Sequence, residues 1–223
     1  MYRVEDKYIM SDLDFLLLEN KVKELMPLDN NREYKISSLY FDDYYDTDLN
    51  DTISGNPNRK KMRIRIYDDS FETIKLEVKY KSYSRVDKKS CNITKDEMFS
   101  LINGVPIKWG NKDSPRNLFN EKILSSMLRP KVIVTYERSA YLYKFGNTRI
   151  TFDKNVRSSR NIEMFGDKNL YYESIEDNKI LEVKYDEFIP DFVSLVLSSD
   201  SIRQISFSKY RLCRENYLRG FYE

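Results

Sequence analysis

Along Arg59-Lys60-Lys61-Met62-Arg63-Ile64-Arg65-Ile66, cations and aliphatic residues take turns. Side chains on a strand point to alternate faces. A strand here therefore sets Arg59, Lys61, Arg63 and Arg65 on one side and Met62, Ile64 and Ile66 on the other. The split recurs in four more segments. Glu77, Lys79 and Lys81 oppose Leu76, Val78 and Tyr80; Glu182 and Lys184 share a face, as do Arg3, Glu5 and Lys7, and Arg149, Thr151 and Asp153. One such strand is an ordinary antiparallel strand with a solvated polar face. Five together constrain the chain further. If the sheet closes into a barrel with its apolar faces outward under helices, the charges line the bore. Such a bore must be wet and hold counter-ions. With Arg138 added, these strands carry eleven cations against four carboxylates, Glu5, Glu77, Asp153 and Glu182. A bore of that kind suits a polyanion with a divalent metal.

The rest of the pattern agrees with such a sheet. The length of 223 residues favours one domain over 1–223. Strands are expected at 2–9, 33–41, 59–68, 72–80, 85–93, 131–138, 140–145, 149–156 and 179–185, with hairpin turns at Asp68-Asp69-Ser70 and Gly146-Asn147. Helices are expected at 11–26, capped by Ser11 and Asp14 with Leu13, Leu16, Leu17 and Val22 as the buried stripe, at 95–102 behind Thr94, and at 118–128, 191–197 and 208–221. Gly104 to Arg116 is the most loop-like stretch, a candidate divider between two halves of the domain. Tyr40 to Asp46 reads as a strand end and a solvated turn. The fold class is α+β: an eight-stranded antiparallel sheet or barrel with flanking helices.

Composition narrows the chemistry. Histidine is absent, which removes the Ser-His-Asp triad, the Cys-His dyad, His-ligated zinc and imidazole acid–base catalysis. Cys91 and Cys213 are isolated, so a thiolate metal site is not expected, and any metal is a hard cation on carboxylates. Lys plus Arg number 38 and Asp plus Glu 36, a balance that disfavours nucleic-acid binding. No apolar run approaches the ~20 residues of a spanning helix and no signal core is visible, so a cytoplasmic protein is the expectation.

Eight stretches carry a resemblance: Glu5-Asp-Lys7-Tyr8, Ser38-Leu-Tyr-Phe-Asp42, Arg63-Ile-Arg65, Leu76-Glu-Val-Lys79, Tyr136-Glu-Arg138, Arg149-Ile-Thr-Phe-Asp153, Ile180-Leu-Glu-Val-Lys184 and Ser206-Phe-Ser-Lys209-Tyr210. In this order they resemble the VTC-type polyphosphate polymerase domain of the CYTH / triphosphate tunnel metalloenzyme superfamily. The resemblance implies an eight-stranded tunnel whose basic lumen binds triphosphate or polyphosphate with a divalent metal, Mn or Mg. It implies that Arg63, Arg65, Lys79, Arg138 and Arg149 act on the transferring phosphoryl group. Lys7, Tyr136, Ser208 and Lys209 would bind substrate, with Lys184 facing the lumen and Arg59 and Lys61 extending the basic track. Arg85, Lys88 and Lys89 would continue it at one mouth. Glu182 matches the principal metal carboxylate, with Glu5 and Glu77 beside it. Arg3 stands where the broader superfamily has a first Glu, which weakens the case for a two-metal hydrolase. Ser206 stands where eukaryotic polymerases tend to have Lys.

Phosphoryl transfer asks the protein mainly for positioning and charge stabilisation, which a His-free chain can supply. The expected function is therefore transfer of the γ-phosphoryl group of ATP to growing inorganic polyphosphate. The alternatives are a triphosphatase acting on inorganic triphosphate or nucleotides, and a non-catalytic polyphosphate-binding module.

Overall fold

The computed structural model describes residues 4–29, 33–83, 85–143, 145–175, 179–186, 188–198 and 202–219. Its centre is a wholly antiparallel sheet of ten strands. Eight are of six residues or more: β1 (Val4–Ile9), β2 (Tyr34–Asp42), β3 (Asn58–Tyr67), β4 (Ser70–Ser82), β5 (Arg85–Asn92), β6 (Arg129–Tyr143), β7 (Thr148–Ser159) and β9 (Ile180–Tyr185). Two are two-residue strands, β8 (Glu173–Ser174) and β10 (Arg203–Gln204). Six helices accompany them: α1 (Asp12–Leu25), α2 (Thr47–Ile53), α3 (Lys95–Ile102), α4 (Pro115–Ser126), α5 (Asp191–Leu197) and α6 (Lys209–Arg219).

The sheet runs β10-β1-β9-β7-β6-β2-β3-β4-β5, with β8 on β7. The ladder does not close, which corrects the expectation of a barrel. The second edge of β1 is taken by β10, and Ile205 N–H continues that contact to Lys7 C=O at 2.8 Å. β10 and Ile205 occupy only the Lys7–Ile9 end of that edge, and among the described residues no ladder joins β5 to β1. The sheet nevertheless curls until side chains meet across the gap: Lys79 on β4 reaches Glu5 on β1 at 2.7 Å.

The two faces of this curved wall have opposite character. The convex face is apolar. Met62, Ile64, Ile66, Leu76 and Val78 pack there with Met98 and Leu101 of α3 and Phe119 and Ile123 of α4. Further round, Phe15, Leu18 and Val22 of α1 cover Ile150, Phe152, Leu181 and Val183. The concave face is charged, except where Tyr210, Cys213 and Tyr217 of α6 cover Val132, Val134 and Val156.

Local chemistry explains most elements. Ser11 Oγ accepts from Asp14 N–H at 3.2 Å, and Thr94 and Glu97 form a reciprocal capping box. The β3–β4 turn places Asp68 and Asp69 at φ 52° and 51°, a left-handed pair that short acidic residues tolerate. Four other expectations need correction. The buried side of α1 is Phe15, Leu18, Glu19 and Val22; Leu13, Leu16 and Leu17 are exposed. Residues 131–138 and 140–143 form one strand, because Ser139 stays in register with Phe152 of β7. The loop 103–114 divides nothing: Asn120 bonds Ile107 N–H and C=O at 2.9 and 2.7 Å and draws Ile107 into the convex core. The stretch after Tyr40 is the expected strand end and turn, with Tyr44 and Tyr45 exposed, but its first two carboxylates are not solvated. Asp42 is buried and accepts from Asp48 and Leu49 N–H at the start of α2 and from Tyr210 O–H at 2.6 Å.

Candidate functional site

The concave face encloses a cavity of about 450 Å³. Thirteen Lys and Arg side chains line it, against three carboxylates, Glu5, Asp87 and Glu182. Strand parity brings them together, since alternate residues of β1, β3, β4, β7 and β9 all point inward.

One part of the cavity is built on arginine. Arg63 donates to Glu77 Oε2 at 2.8 Å (Nε) and 2.7 Å (Nη2) and to Tyr40 O–H at 2.9 Å. Arg65 donates to Ser38 Oγ at 3.3 Å and Tyr136 O–H at 3.4 Å. Arg138 holds Asp153 with both forks, at 2.6 and 2.7 Å, and Lys209 Nζ reaches the same carboxylate at 2.6 Å. Glu77 and Asp153 lie behind the lining with almost no exposure. Burial pushes both carboxyls up, but Arg63, Arg65 and Lys88 around Glu77, and Arg138 and Lys209 around Asp153, outweigh it and hold them below the usual carboxylate range. Arg138 is correspondingly held in its charged form by Asp153, against burial. Such bidentate pairs fix direction as well as charge.

The other part is built on lysine. Glu5 accepts from Lys79 Nζ at 2.7 and 2.8 Å and lies 3.3 Å from Lys7 and 3.6 Å from Lys184, which also reaches Glu182 at 3.0 Å. Burial and Glu182 raise the Glu5 carboxyl, yet Lys79, Lys7 and Lys184 outweigh them and bring it down to about 2. Burial also opposes charge on Glu182, and Lys184, Lys7 and Arg138 hold it well below the ordinary range. Both groups are thus ionised at neutral pH. Beside them, like charges stand directly opposite each other. Lys61 pairs in register with Lys79, Lys79 with Lys88, and Arg59 with Lys81. Such pairs are destabilising without an anion between them. Burial and the neighbouring cations Lys7, Lys79, Arg59 and Arg63 push Lys61 well below its ordinary value. Burial brings Lys79 down to about 7 despite Glu5.

The segment Ile205–Ser208 crosses this region. Lys7 Nζ donates to Phe207 C=O at 3.0 Å and Lys61 Nζ to Ser208 Oγ at 2.5 Å. Ser206 lines the cavity as well.

Of the residues singled out in the sequence, Lys7, Arg59, Lys61, Arg63, Arg65, Lys79, Tyr136, Arg138, Arg149, Lys184, Ser208 and Lys209 all line this one cavity, with Glu5 and Glu182. Arg59 sits at its edge, donating to Asn56 C=O at 3.0 Å. Arg149 is drawn to Asp29 at 2.7 Å. Arg3 lies outside the described residues. Lys88 lines the cavity, whereas Lys89 turns away to Asp113 at 2.9 Å. Glu77 lies apart from Glu5 and Glu182: buried behind the lining, it binds Arg63 and Lys88, whereas Glu5 and Glu182, themselves paired with lysines, face the cavity. Two participants were not assigned from sequence. Tyr40 steers Arg63, and Asp153 was seen only as a strand carboxylate. Each had a signal, since both fall on the inward parity of their strands.

A hard divalent cation fits Glu5 and Glu182. Both are anionic oxygen donors facing the cavity. Among the described residues no group of three or more His, Cys, Asp or Glu side chains forms a ligand set. Mg²⁺ is commonly held by one or two carboxylates, with water and substrate phosphates completing its shell.

Comparison with known proteins agrees with the fold. The PH1819 protein from Pyrococcus horikoshii OT3 is 17% identical, with a TM-score of 0.56 over 96% of this chain and 99% of that one. HpAC1 from Hippeastrum, a protein with a dominant triphosphatase activity, is 16% identical with a TM-score of 0.60 over 96% of each chain. No curated protein matches the sequence. Among the described residues no helix is long and apolar enough to cross a membrane. The VTC domain model matches residues 2–217, nearly the whole chain, and the chain belongs to that family.

Proposed function

We propose that this cavity is the lumen of a triphosphate tunnel in which the γ-phosphoryl group of ATP is transferred to inorganic polyphosphate. The observation that carries the reading is the excess of thirteen cations over three carboxylates in one cavity. Glu77 and Asp153 behind the lining offset part of that excess, and the cations that remain, spread along the cavity wall, suit a longer polyanion lying beside the donor. In the reaction the bond between the γ-phosphorus and the β,γ-bridging oxygen breaks. A terminal oxygen of polyphosphate forms the new P–O bond, and ADP departs. The acceptor is already anionic, so no strong base is required, and the arginines stabilise charge on the oxygens of the transferring group. Arg63, Arg65 and Arg138 arrive pre-aimed by Glu77 and Asp153. Lys7, Lys61, Lys79, Lys184, Arg59, Arg149, Tyr136, Ser208 and Lys209 bind the phosphate chain. Glu182 and Glu5 would hold Mn or Mg, which would supply positive charge to offset that of the phosphates.

Hydrolysis of a triphosphate is the second reading. It is favoured by the apolar cluster that fills the concave face beyond Tyr40 and Tyr210, a stop suited to a short substrate. It also agrees with the triphosphatase activity of the Hippeastrum protein. The test is incubation with ATP, Mn or Mg and a short polyphosphate primer, with products resolved by chain length and Glu182→Gln as control. Lengthening ladders that vanish in the variant support the polymerase. Orthophosphate release without ladders replaces it with the hydrolase, and tight binding without turnover replaces both with a binding module.

A further inference from the structure

Two of the stretches singled out in the sequence end on residues that the proposed transfer does not use, Asp42 and Tyr210. The fold brings them together. Tyr210 donates its hydroxyl hydrogen to Asp42 Oδ2 at 2.6 Å, and both residues are 1% exposed. Asp42 is the fixed end of this bond. Its Oδ1 accepts from Asp43 N–H at 2.9 Å and Asp48 N–H at 3.0 Å, and its Oδ2 from Leu49 N–H at 3.0 Å. Three backbone donors thus tie the carboxylate to the start of α2. An amide in its place would turn an N–H₂ toward two of the four donors.

Tyr210 sits in the first turn of α6, next to Ser208 and Lys209, which line the cavity. Ser208 belongs to that turn mechanically, because its Oγ accepts from Arg211 N–H at 3.2 Å and its C=O from Leu212 N–H at 3.0 Å. What fixes the turn therefore places both side chains. Cys213 and Tyr217 hold α6 against Val132, Val134 and Val156 by apolar contact, which is not directional. Lys61–Ser208 and Lys209–Asp153 are directional, but an incoming phosphate chain contests both lysines. Asp42 lies outside the cavity lining, so its bond to Tyr210 stays when the ligand enters. Arg214 completes the hydroxyl's bonding, donating to its oxygen at 3.1 Å.

We propose that Asp42 is a positioning residue: through the Tyr210 hydroxyl it sets the first turn of α6, and with it the places of Ser208 and Lys209 against a bound phosphate chain. The inference rests on the phosphate-binding reading of the cavity. It divides the work of Tyr210 between ring and hydroxyl. The ring stacks on Tyr40, whose own hydroxyl accepts from Arg63, at 5.2 Å between centroids and 22° between planes. Tyr210→Phe keeps that stack and removes the bond to Asp42. It should therefore weaken binding and leave the arginine part as it was.

Calorimetric titration with inorganic tripolyphosphate, without metal, tests this. Tyr210→Phe and Asp42→Asn should each weaken binding about tenfold. In a Lys209→Met background, Tyr210→Phe should cost no more than about threefold, since one of the two side chains it aims is already gone. Cys213→Ala, a change in the same helix that leaves the Tyr210–Asp42 bond intact, should melt earlier than the wild type yet bind as tightly. In steady-state turnover the loss in Tyr210→Phe should fall on KM, with kcat within about twofold of the wild type. A wild-type chain that does not bind tripolyphosphate overturns the reading of the cavity, and the positioning role with it. Where the wild type binds, the role alone falls if Tyr210→Phe binds equally well, if its cost is the same with and without Lys209, if Cys213→Ala weakens binding as much, or if the loss in turnover falls on kcat.

Discussion

Two stretches of β3, two residues apart, meet opposite fates across the same ladder. Arg63 stands in register with Glu77, and Lys61 with Lys79. The first pair is a closed ion pair with a tyrosine fixing the remaining fork of the guanidinium. The second is a repulsion, relieved in part by Ser208 on one side and by Glu5 and Glu182 on the other. The arginine part is therefore complete without substrate. Its cations are clamped by carboxylates that lie behind the lining, so they keep their aim when the cavity is empty. The lysine part is incomplete without an anion, and burial biases its Lys61 and Lys79 amines toward losing their protons. Preorganised charge is where rate enhancement is concentrated. Loosely held charge that an incoming polyanion completes contributes mainly to binding.

The largest expected effect comes from the clamped side. Arg138→Ala should cut turnover by about 10²–10³ while a saturating substrate concentration can still be reached. It also strips Asp153 of its bidentate partner, leaving Lys209 alone, so the variant should melt earlier. Arg138→Lys separates these effects. The charge returns and the melt recovers, but the fork is lost, and turnover should stay low. Steady-state kinetics with melting curves on both variants check this. Near-normal turnover in either would erase the distinction between the two parts.

A smaller effect follows from pH. The Lys79 amine, ordinarily protonated until about 10.5, titrates near 7 in the empty cavity because of burial. A bound polyanion favours the protonated form, so binding raises that value and takes up a proton above pH 7. Affinity for polyphosphate, measured without added metal, should therefore be level below pH 7. Above it, affinity should fall by up to about tenfold per pH unit for this one group. Lys79→Arg, which keeps its charge throughout, should flatten the slope. An unchanged slope in that variant would assign the titration elsewhere.

Much of this contrast was legible in the sequence. Period-two alternation placed Arg63, Arg65, Lys79 and Glu182 on inward faces correctly, because a pleated strand leaves no freedom in that choice. It did not separate clamped cations from repelling ones. That depends on register across strands, and Arg63 stands opposite Glu77 only because the β3–β4 ladder shifts between Arg65 and Tyr67, after the turn at Asp68-Asp69. For the same reason the contacts of Glu77 with Arg63 and Lys88 could not be read: its inward parity was visible, its neighbours were not. The pairing of residues 203–205 with the Lys7–Ile9 end of β1 joins positions almost two hundred residues apart, and no local pattern announces it. The α1 stripe was misread because Leu13, Leu16 and Leu17 offer as good a helical period as Phe15, Leu18 and Val22. Hydrophobicity alone does not say which apolar face meets the sheet.

The sharpest test of the comparison has the smallest magnitude and depends on sign. Lys61→Met keeps the apolar stem and removes the charge at one end of the Lys61–Lys79–Lys88 row. With no anion bound, that charge is a cost to the fold: Lys61 is pressed by Lys7, Lys79 and Arg59, and burial opposes its ionisation. Its removal should raise the melting temperature of the empty protein by about 2–4 °C, the shift expected from ~1 kcal/mol in a chain of this size. The same change should weaken polyphosphate binding about tenfold, through the loss of one charge-assisted contact. Arg63→Met should do the reverse to stability, since Glu77 would keep only Lys88 and the more distant Arg65 as cations. Opposite shifts in melting temperature for two cations on one strand of one cavity would follow directly from their register partners. Shifts of the same sign would mean that both parts of the cavity are organised alike, and that the lysine row is not held under repulsion.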